Sequence, residues 1–369
     1  MSVGVFIKKP ENVFSNGCIQ QSYYLLKQLR LTGYECHLVA TEPDYTTFEI
    51  DSEPIIHVSK LDGFKLILFV SGSVSDEEGL RFLKSKNLKL VSVICGNYYV
   101  LHQEEYIFDK HHIIKNAHSE AYRKYIDQNW LLPMYAEFRD YVELMTGVKT
   151  IVTPYVWDSD AIDRYIQKNS ISLEFRPQNY TNSQIMLLIF EPNMSIHKTS
   201  LVPLLQAEDF YLHHSDKLHS VHHFCTNVNE SSTYLINSLK IQQDKKLTLY
   251  HRMIMPAVVA SLIQANPKVI PIVLSHNFHN ELNFLHLELF HLGIPVVHNC
   301  EPYRKTGKYF TTATMLSVRD HLLDLQKNIS NPRYYKTYMS ECRKLVNHYR
   351  PHNQQHIMEY KKHIENILK

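Results

Sequence analysis

The stretch "ELNFLHLELFHLGIPVVHN", Glu281 to Asn299, sets two carboxylates in mostly apolar surroundings. Leu285, Leu289 and Leu292 recur at helical spacing, Gly293 follows the last of them and Pro295 opens a valine run, so a helix closed by Gly293 should lead into a strand. A carboxylate offers two acceptor oxygens and can take hydrogen bonds from both hydroxyls of a vicinal diol such as a ribose. Glu288 is the candidate for that contact. A solvated or capping role is the competing reading, because charged residues on helices are ordinary.

Further groups suit an anionic ligand. "FEPNMSIHKTS" places Lys198 and Thr199 after an apolar strand run and at a helix start, where backbone N–H groups and the positive dipole end collect phosphate. An ordinary capped helix would read the same way, and the P-loop pattern is absent. "LYHRMIMP" puts Arg252 at a strand end, where a fixed cation could stabilise a leaving diphosphate without a metal; surface ion pairing is the alternative. "PENVFSNGCIQQ" carries Asn16 and Gly17, either a loop that lets backbone approach a ligand or a tight turn. In "CGNYYVLHQEEYIFDK", His102, Glu105 and Asp109 are candidates for a general base, Asp109 first, against solvated loop charges.

Three other patterns are set aside. Asp158 to Asp160, "DSD", matches a metal-binding D-x-D but opens a helix, where Asp serves as a cap. "HHSDKLHSVHH" lacks a helical His pair backed by a carboxylate. The Tyr-rich tail from Asn331 interleaves aromatic and basic residues as nucleic-acid surfaces do, but packing helices read alike.

The elements that must carry these residues alternate. Short β-branched runs ("SVGVFIKK", "ECHLVAT", "KLILFVSG", "LKLVSVICGN", "NWLLP", "VKTIVTPY") are separated by amphipathic segments, and the pattern restarts at "QIMLLIFEP". Strand, helix, strand, repeated, implies parallel sheets covered by helices. The expected organisation is an α/β chain of two Rossmann-like domains: an acceptor-side domain over 1–165, a linker over 166–183, a donor-side domain over 184–330, and C-terminal helices over 331–369 packing at the domain interface. Ligands in such folds bind beyond the carboxyl ends of the strands, here in a cleft between two facing halves.

Bulk properties agree. At 369 residues, 44% hydrophobic and 21% charged, the chain suits two globular domains and neither disorder nor a fibrous repeat. No apolar run approaches the length of a membrane span and the N-terminus does not read as a signal peptide, so an intracellular, cytoplasmic location is expected. Six scattered cysteines without C-x-x-C fit reduced thiols. Residues 1–175 hold 18 Lys+Arg against 23 Asp+Glu and residues 176–369 hold 21 against 14, a balance of −5 and +7. A basic half is compatible with a diphosphate ligand or a solvated face.

Beyond these features, a carboxylate followed closely by "GIPVV" resembles the donor-site signature of the GT-B glycosyltransferases. The blocks "VFSNGCIQQ", "CGNYYVLHQEEYIFDK", "WLLPMY", "VTPYVW", "FEPNMSIHKTS" and "VLSHNFHNELNFLHLELFHLGIPVVHN" resemble, in order over 13–299, an uncharacterised bacterial family of glycosyltransferase-like proteins. The resemblance implies a metal-independent hexosyl- or pentosyltransferase using a UDP-type sugar nucleotide as co-substrate, with no cofactor. Glu288 then holds the ribose, with Asn283, Lys198, Thr199, Arg252 and His276 completing the donor side. Glu281 and Glu288 are separated by six residues rather than the usual seven, so Glu281 does not inherit the first glutamate's role. The acceptor implied is a surface saccharide or, because "LHLELFHLGIPV" is similar to phage enzymes that glucosylate hydroxymethylated cytosine, modified DNA in a phage-infected host. A non-catalytic protein clamping a small ligand between two domains is the rival from another class.

Overall fold

The structure is a computed structural model that describes residues 1–10, 14, 17–71, 76–109, 113–173, 175–224, 227–251, 255–281 and 284–369. It divides into two compact units, Met1–Ala161 with His348–Lys369, and Ile162–Asn347.

In the first unit, apolar runs become strands β1 (Ser2–Phe6), β2 (Glu35–Ala40), β3 (Thr47–Phe48), β4 (Glu53–His57), β5 (Phe64–Val70), β6 (Lys89–Ile94), β7 (Gln128–Leu131) and β8 (Thr150–Val152). They form one sheet in the order β3-β4-β2-β1-β5-β6-β7-β8. All pairings are parallel except β3 with β4. β1 is buried along its whole length, as a central strand covered on both faces must be. Gly4 within it has no room for a side chain, since a Cβ would lie 2.5 Å from Ile67 and 2.8 Å from Val39. The helix Gly17–Arg30 buries Tyr23, Leu26 and Leu29, as its spacing predicts.

The chain end belongs to this unit too. The helix Gln354–Leu368 sets Tyr360 against Trp130, ring centroids 5.7 Å apart, and donates the Tyr360 hydroxyl to the Pro154 carbonyl at 2.5 Å. The tail expected as one pair of helices is thus shared, because Pro332–Tyr349 lies almost wholly within the second unit.

The second unit repeats the design with β9 (Ile185–Ile189), β10 (Leu218–Phe224), β11 (Leu247–Tyr250), β12 (Ile270–Leu274), β13 (Val296–His298) and β14 (Lys308–Tyr309). The order is β11-β10-β9-β12-β13-β14, parallel throughout. Its core runs from Ile185, Leu187 and Ile189 to Leu204, Phe210, Leu274 and Leu322. Phe175 and Tyr180, inside the stretch expected as a linker, are part of that core, and the units divide between Ala161 and Ile162.

Both sheets start in the middle, build outward to one side and then return to build on the other. The strand order therefore reverses between β1 and β5 in the first unit and between β9 and β12 in the second. At such a reversal the loops leaving two neighbouring strands diverge and open a crevice beyond their carboxyl ends.

Candidate active site

In the second unit the reversal brings the loop after β9 beside the loop after β12. Glu191 is 3% exposed, and its Oε1 accepts the Ser275 hydroxyl at 2.6 Å and the His276 backbone N–H at 3.0 Å. His197 and Phe278 stitch the same loops: the Phe278 N–H donates to the His197 carbonyl at 3.0 Å, and the His197 ring lies 2.9 Å from the Phe278 carbonyl through Nδ1.

Lys198 and Thr199 are held by a compact turn. Asn193, at a left-handed φ of 52°, accepts the Ser200 N–H and hydroxyl through its side chain at 2.7 and 3.0 Å, and its own N–H donates to the Lys198 carbonyl at 3.1 Å. The helix begins at Leu201 rather than within "HKTS", so both residues precede it. Pro203 contributes no N–H to the first turn. Burial holds the Glu191 carboxyl up at about 7 even though the Ser275 and His276 hydrogen bonds and, least of all, the Lys198 charge lower it.

Glu288 lies on the helix Phe284–Leu292, where the buried residues are the unbroken run His286, Leu287, Glu288, Leu289 and Phe290 rather than one stripe. Its carboxyl is raised to about 7 by burial alone, and it has no hydrogen-bond partner among the described residues. His276 is 6% exposed, is held below the usual imidazole range by burial, and leaves Nδ1 unpaired among the described residues. The helix ends at Gly293, φ +73°, where a Cβ would strike the Tyr335 hydroxyl and Met339. Tyr338 fixes the exit by donating its hydroxyl to the Ile294 carbonyl at 2.7 Å. Arg252 and Asn283 lie outside the described residues, as does Asn16.

In the first unit, His102 and Glu105 sit on a helix, Tyr98–Phe108, where a loop was expected. Glu105 accepts the backbone N–H groups of Ile113 at 2.6 Å and Ile114 at 3.0 Å, which caps the next turn. His102 is 2% exposed, its Nδ1 lies 3.1 Å from the Tyr141 hydroxyl, and its Nε2 is unpaired among the described residues. Burial pushes its imidazole down to about 4, so it is neutral at pH 7. Asp109 is exposed in a left-handed conformation and ends the helix, its N–H donating to the Glu105 carbonyl at 2.8 Å. Gly17 is exposed as the first residue of its helix.

Of the patterns set aside, "DSD" has a clear occupation. Lys27 pairs with both Asp158 and Asp160, the latter at 2.6 Å, and Asp158 accepts the Ser159 N–H. Among the described residues no three His, Cys, Asp or Glu side chains are grouped to hold a metal ion, and no helix is long and apolar enough to cross a membrane.

Residues 1–364 match the family described as "Protein of unknown function (DUF2827)". The chain belongs to that family. Curated proteins gave no match. The solved structures that this DUF2827 chain resembles share its two-sheet plan at low identity. One is the N-terminal domain of Candida albicans trehalose-6-phosphate phosphatase, with a TM-score of 0.62 and 10% identity over 100% of this chain and 96% of that one. Another is an alpha-glucosyltransferase in complex with UDP and a 13-mer DNA containing a HMU base, with a TM-score of 0.57 and 10% identity over 100% of both chains. A third is Anabaena Alr3699/HepE in complex with UDP, with a TM-score of 0.57 and 9% identity over 99% of both. The DUF2827 chain thus has the fold of two Rossmann-like units seen in GT-B glycosyltransferases.

Glu191, Ser275 and His286, which the structure brings together beside the β9–β12 reversal, were not among the residues singled out in the sequence. Each of the first two is a polar residue close behind an apolar strand run, "IMLLIFE" and "IPIVLS", which is the one signal that marked them. His286 gave none, being one polar residue in an apolar helix.

Proposed function

We propose that this protein is a glycosyltransferase that moves a hexosyl or pentosyl group from a UDP-type sugar nucleotide to a hydroxyl acceptor. The observation that carries the reading is Glu288: a buried carboxylate without a hydrogen-bond partner among the described residues, on the helix that follows β12 at the strand-order reversal. Burying such a group unpaired costs stability, and a ligand diol would supply the missing donors. Two of the similar structures carry UDP, which supports the choice of nucleotide.

In this reading the second unit binds the donor. Glu288 takes the ribose hydroxyls, and Lys198, with Thr199, His276, Arg252 and Asn283, lies along the diphosphate. When the glycosidic oxygen leaves, charge accumulates on the β-phosphate, and fixed cations stabilise it with no metal required. The first unit presents the acceptor. Neutral His102 is one candidate base: its Nδ1–H would donate to the Tyr141 oxygen, and its Nε2, enclosed in this conformation, would have to open to the acceptor hydroxyl to take the proton. Glu105 is occupied as a cap, and exposed Asp109 is the other candidate.

Incubating the purified protein with a panel of UDP-sugars, then examining DNA containing hydroxymethylated cytosine and oligosaccharides by mass spectrometry, tests both acceptors. A mass increment of one sugar on either supports transfer. Failure to bind UDP and to consume any UDP-sugar overturns the proposal.

A further inference from the structure

Three buried side chains from separate parts of the second unit form one hydrogen-bonded chain. Glu191 follows β9, Ser275 follows β12, and His286 belongs to the helix Phe284–Leu292. The Ser275 hydroxyl lies 2.6 Å from Glu191 Oε1 and 2.9 Å from His286 Nε2. Ser275 has a single proton to give. With that proton directed to the carboxylate, His286 must donate through Nε2–H, and the bonds run from His286 to Ser275 to Glu191. His286 Nδ1 is then bare, and both it and Glu191 Oε2 are buried without partners among the described residues.

Such an arrangement is an expensive way to fill a core, since apolar side chains would leave no polar atom unpaired. Its placement suggests what it does instead. Glu191 also takes the His276 N–H, and the charge of Lys198 acts on Glu191 and His286 alike. Side chains two apart on a helix point about 200° apart around its axis. Turning the helix to bring His286 onto Ser275 therefore aims Glu288 the opposite way.

We propose that Glu191 and Ser275 are positioning residues that act through His286 to set the rotation of the helix presenting Glu288, and through the β9 loop to set the place of Lys198. The two contacts of a nucleoside diphosphate, diol and phosphate, are thereby held at a fixed separation. This inference rests on the reading that Glu288 receives the ribose.

The test has one arm without ligand and one with it. Nitrogen-15 NMR of the ligand-free protein should show His286 protonated at Nε2 in the wild type, and should show the signal altered in Ser275→Ala and restored in Ser275→Thr. UDP titrations should show Ser275→Ala weakening binding by about tenfold, Ser275→Thr recovering most of it, and Ser275→Ala losing clearly less once Glu288 is already Ala, the remaining loss being the part carried by Lys198. Glu191→Gln carries the same cycle should Ser275→Ala not fold. A wild-type Nδ1–H tautomer, or equal losses in the presence and absence of Glu288, would overturn the proposal. Wild-type protein with the expected tautomer but no affinity for UDP would instead bring down the ribose reading, and this role with it.

Discussion

Glu191 and Glu288, both in the second unit, are each raised to about 7 by burial, yet Glu191 accepts hydrogen bonds from Ser275 and His276 while Glu288 has no partner among the described residues. The difference separates a carboxylate hydrogen-bonded by the fold from one that is not. It has a consequence for stability. A carboxyl whose folded pKa lies above its unfolded value of 4.5 favours the folded state below pH 4.5, and that contribution is lost as pH rises through about 7. Glu288→Gln, which cannot ionise, should therefore be more stable than wild type at pH 8 by on the order of 2–3 kcal/mol, with the gap closing toward pH 4.5. Thermal melts at the two pH values measure it. An unchanged melting temperature at pH 8 would mean that the carboxylate is hydrated or paired.

His102 works in the opposite direction. Its imidazole is pushed down to about 4 from 6.5, so the neutral ring favours the folded state above pH 6.5, and this is lost as pH falls toward 4. His102→Gln should flatten the loss of stability between pH 6.5 and 4. If His102 is the base, the same variant should lower turnover by about 10²–10⁴ with UDP affinity unchanged. Parallel melts and steady-state rates distinguish the two effects.

Glu105 caps Ile113 and Ile114, so its loss should appear in stability first. Glu105→Ala should cost about 1–3 kcal/mol in denaturant unfolding, because two backbone donors lose a charged acceptor. Glu105→Gln, which keeps one acceptor oxygen, should lose less.

Lys27 holds the "DSD" carboxylates, and Asp158 is nearly sealed from water. Lys27→Met should destabilise the protein by about 2–4 kcal/mol by leaving like charges side by side. Replacing Asp158 and Asp160 with Asn in that background should recover part of the loss, as urea unfolding would show.

The alternation of apolar runs made both parallel sheets readable, because central strands covered on two faces announce themselves as continuous Val, Ile and Leu. Gly293 was readable as a helix end because only a left-handed residue fits there. The edge pairing of β3 with β4 was not, since two residues, Thr47 and Phe48, carry no period. The helix Tyr98–Phe108 hid its signal by burying His102, Glu104 and Glu105 alongside Tyr98 and Val100, which breaks the apolar stripe. Candidate residues stood out in the sequence where one chemical type was isolated in its surroundings, as with Glu288 and Lys198. The Glu191–Ser275–His286 chain was not, because its members meet only when β9 and β12 become neighbours, and no local pattern encodes that pairing.

The most direct measurement is calorimetric titration of UDP into wild-type protein and Glu288→Ala at pH 7.5. The account expects wild type to bind and the variant to lose about 1–3 kcal/mol, roughly 5- to 150-fold in Kd, as the ribose hydroxyls lose a charged acceptor. Equal affinity in the two proteins, or none in the wild type, would contradict it.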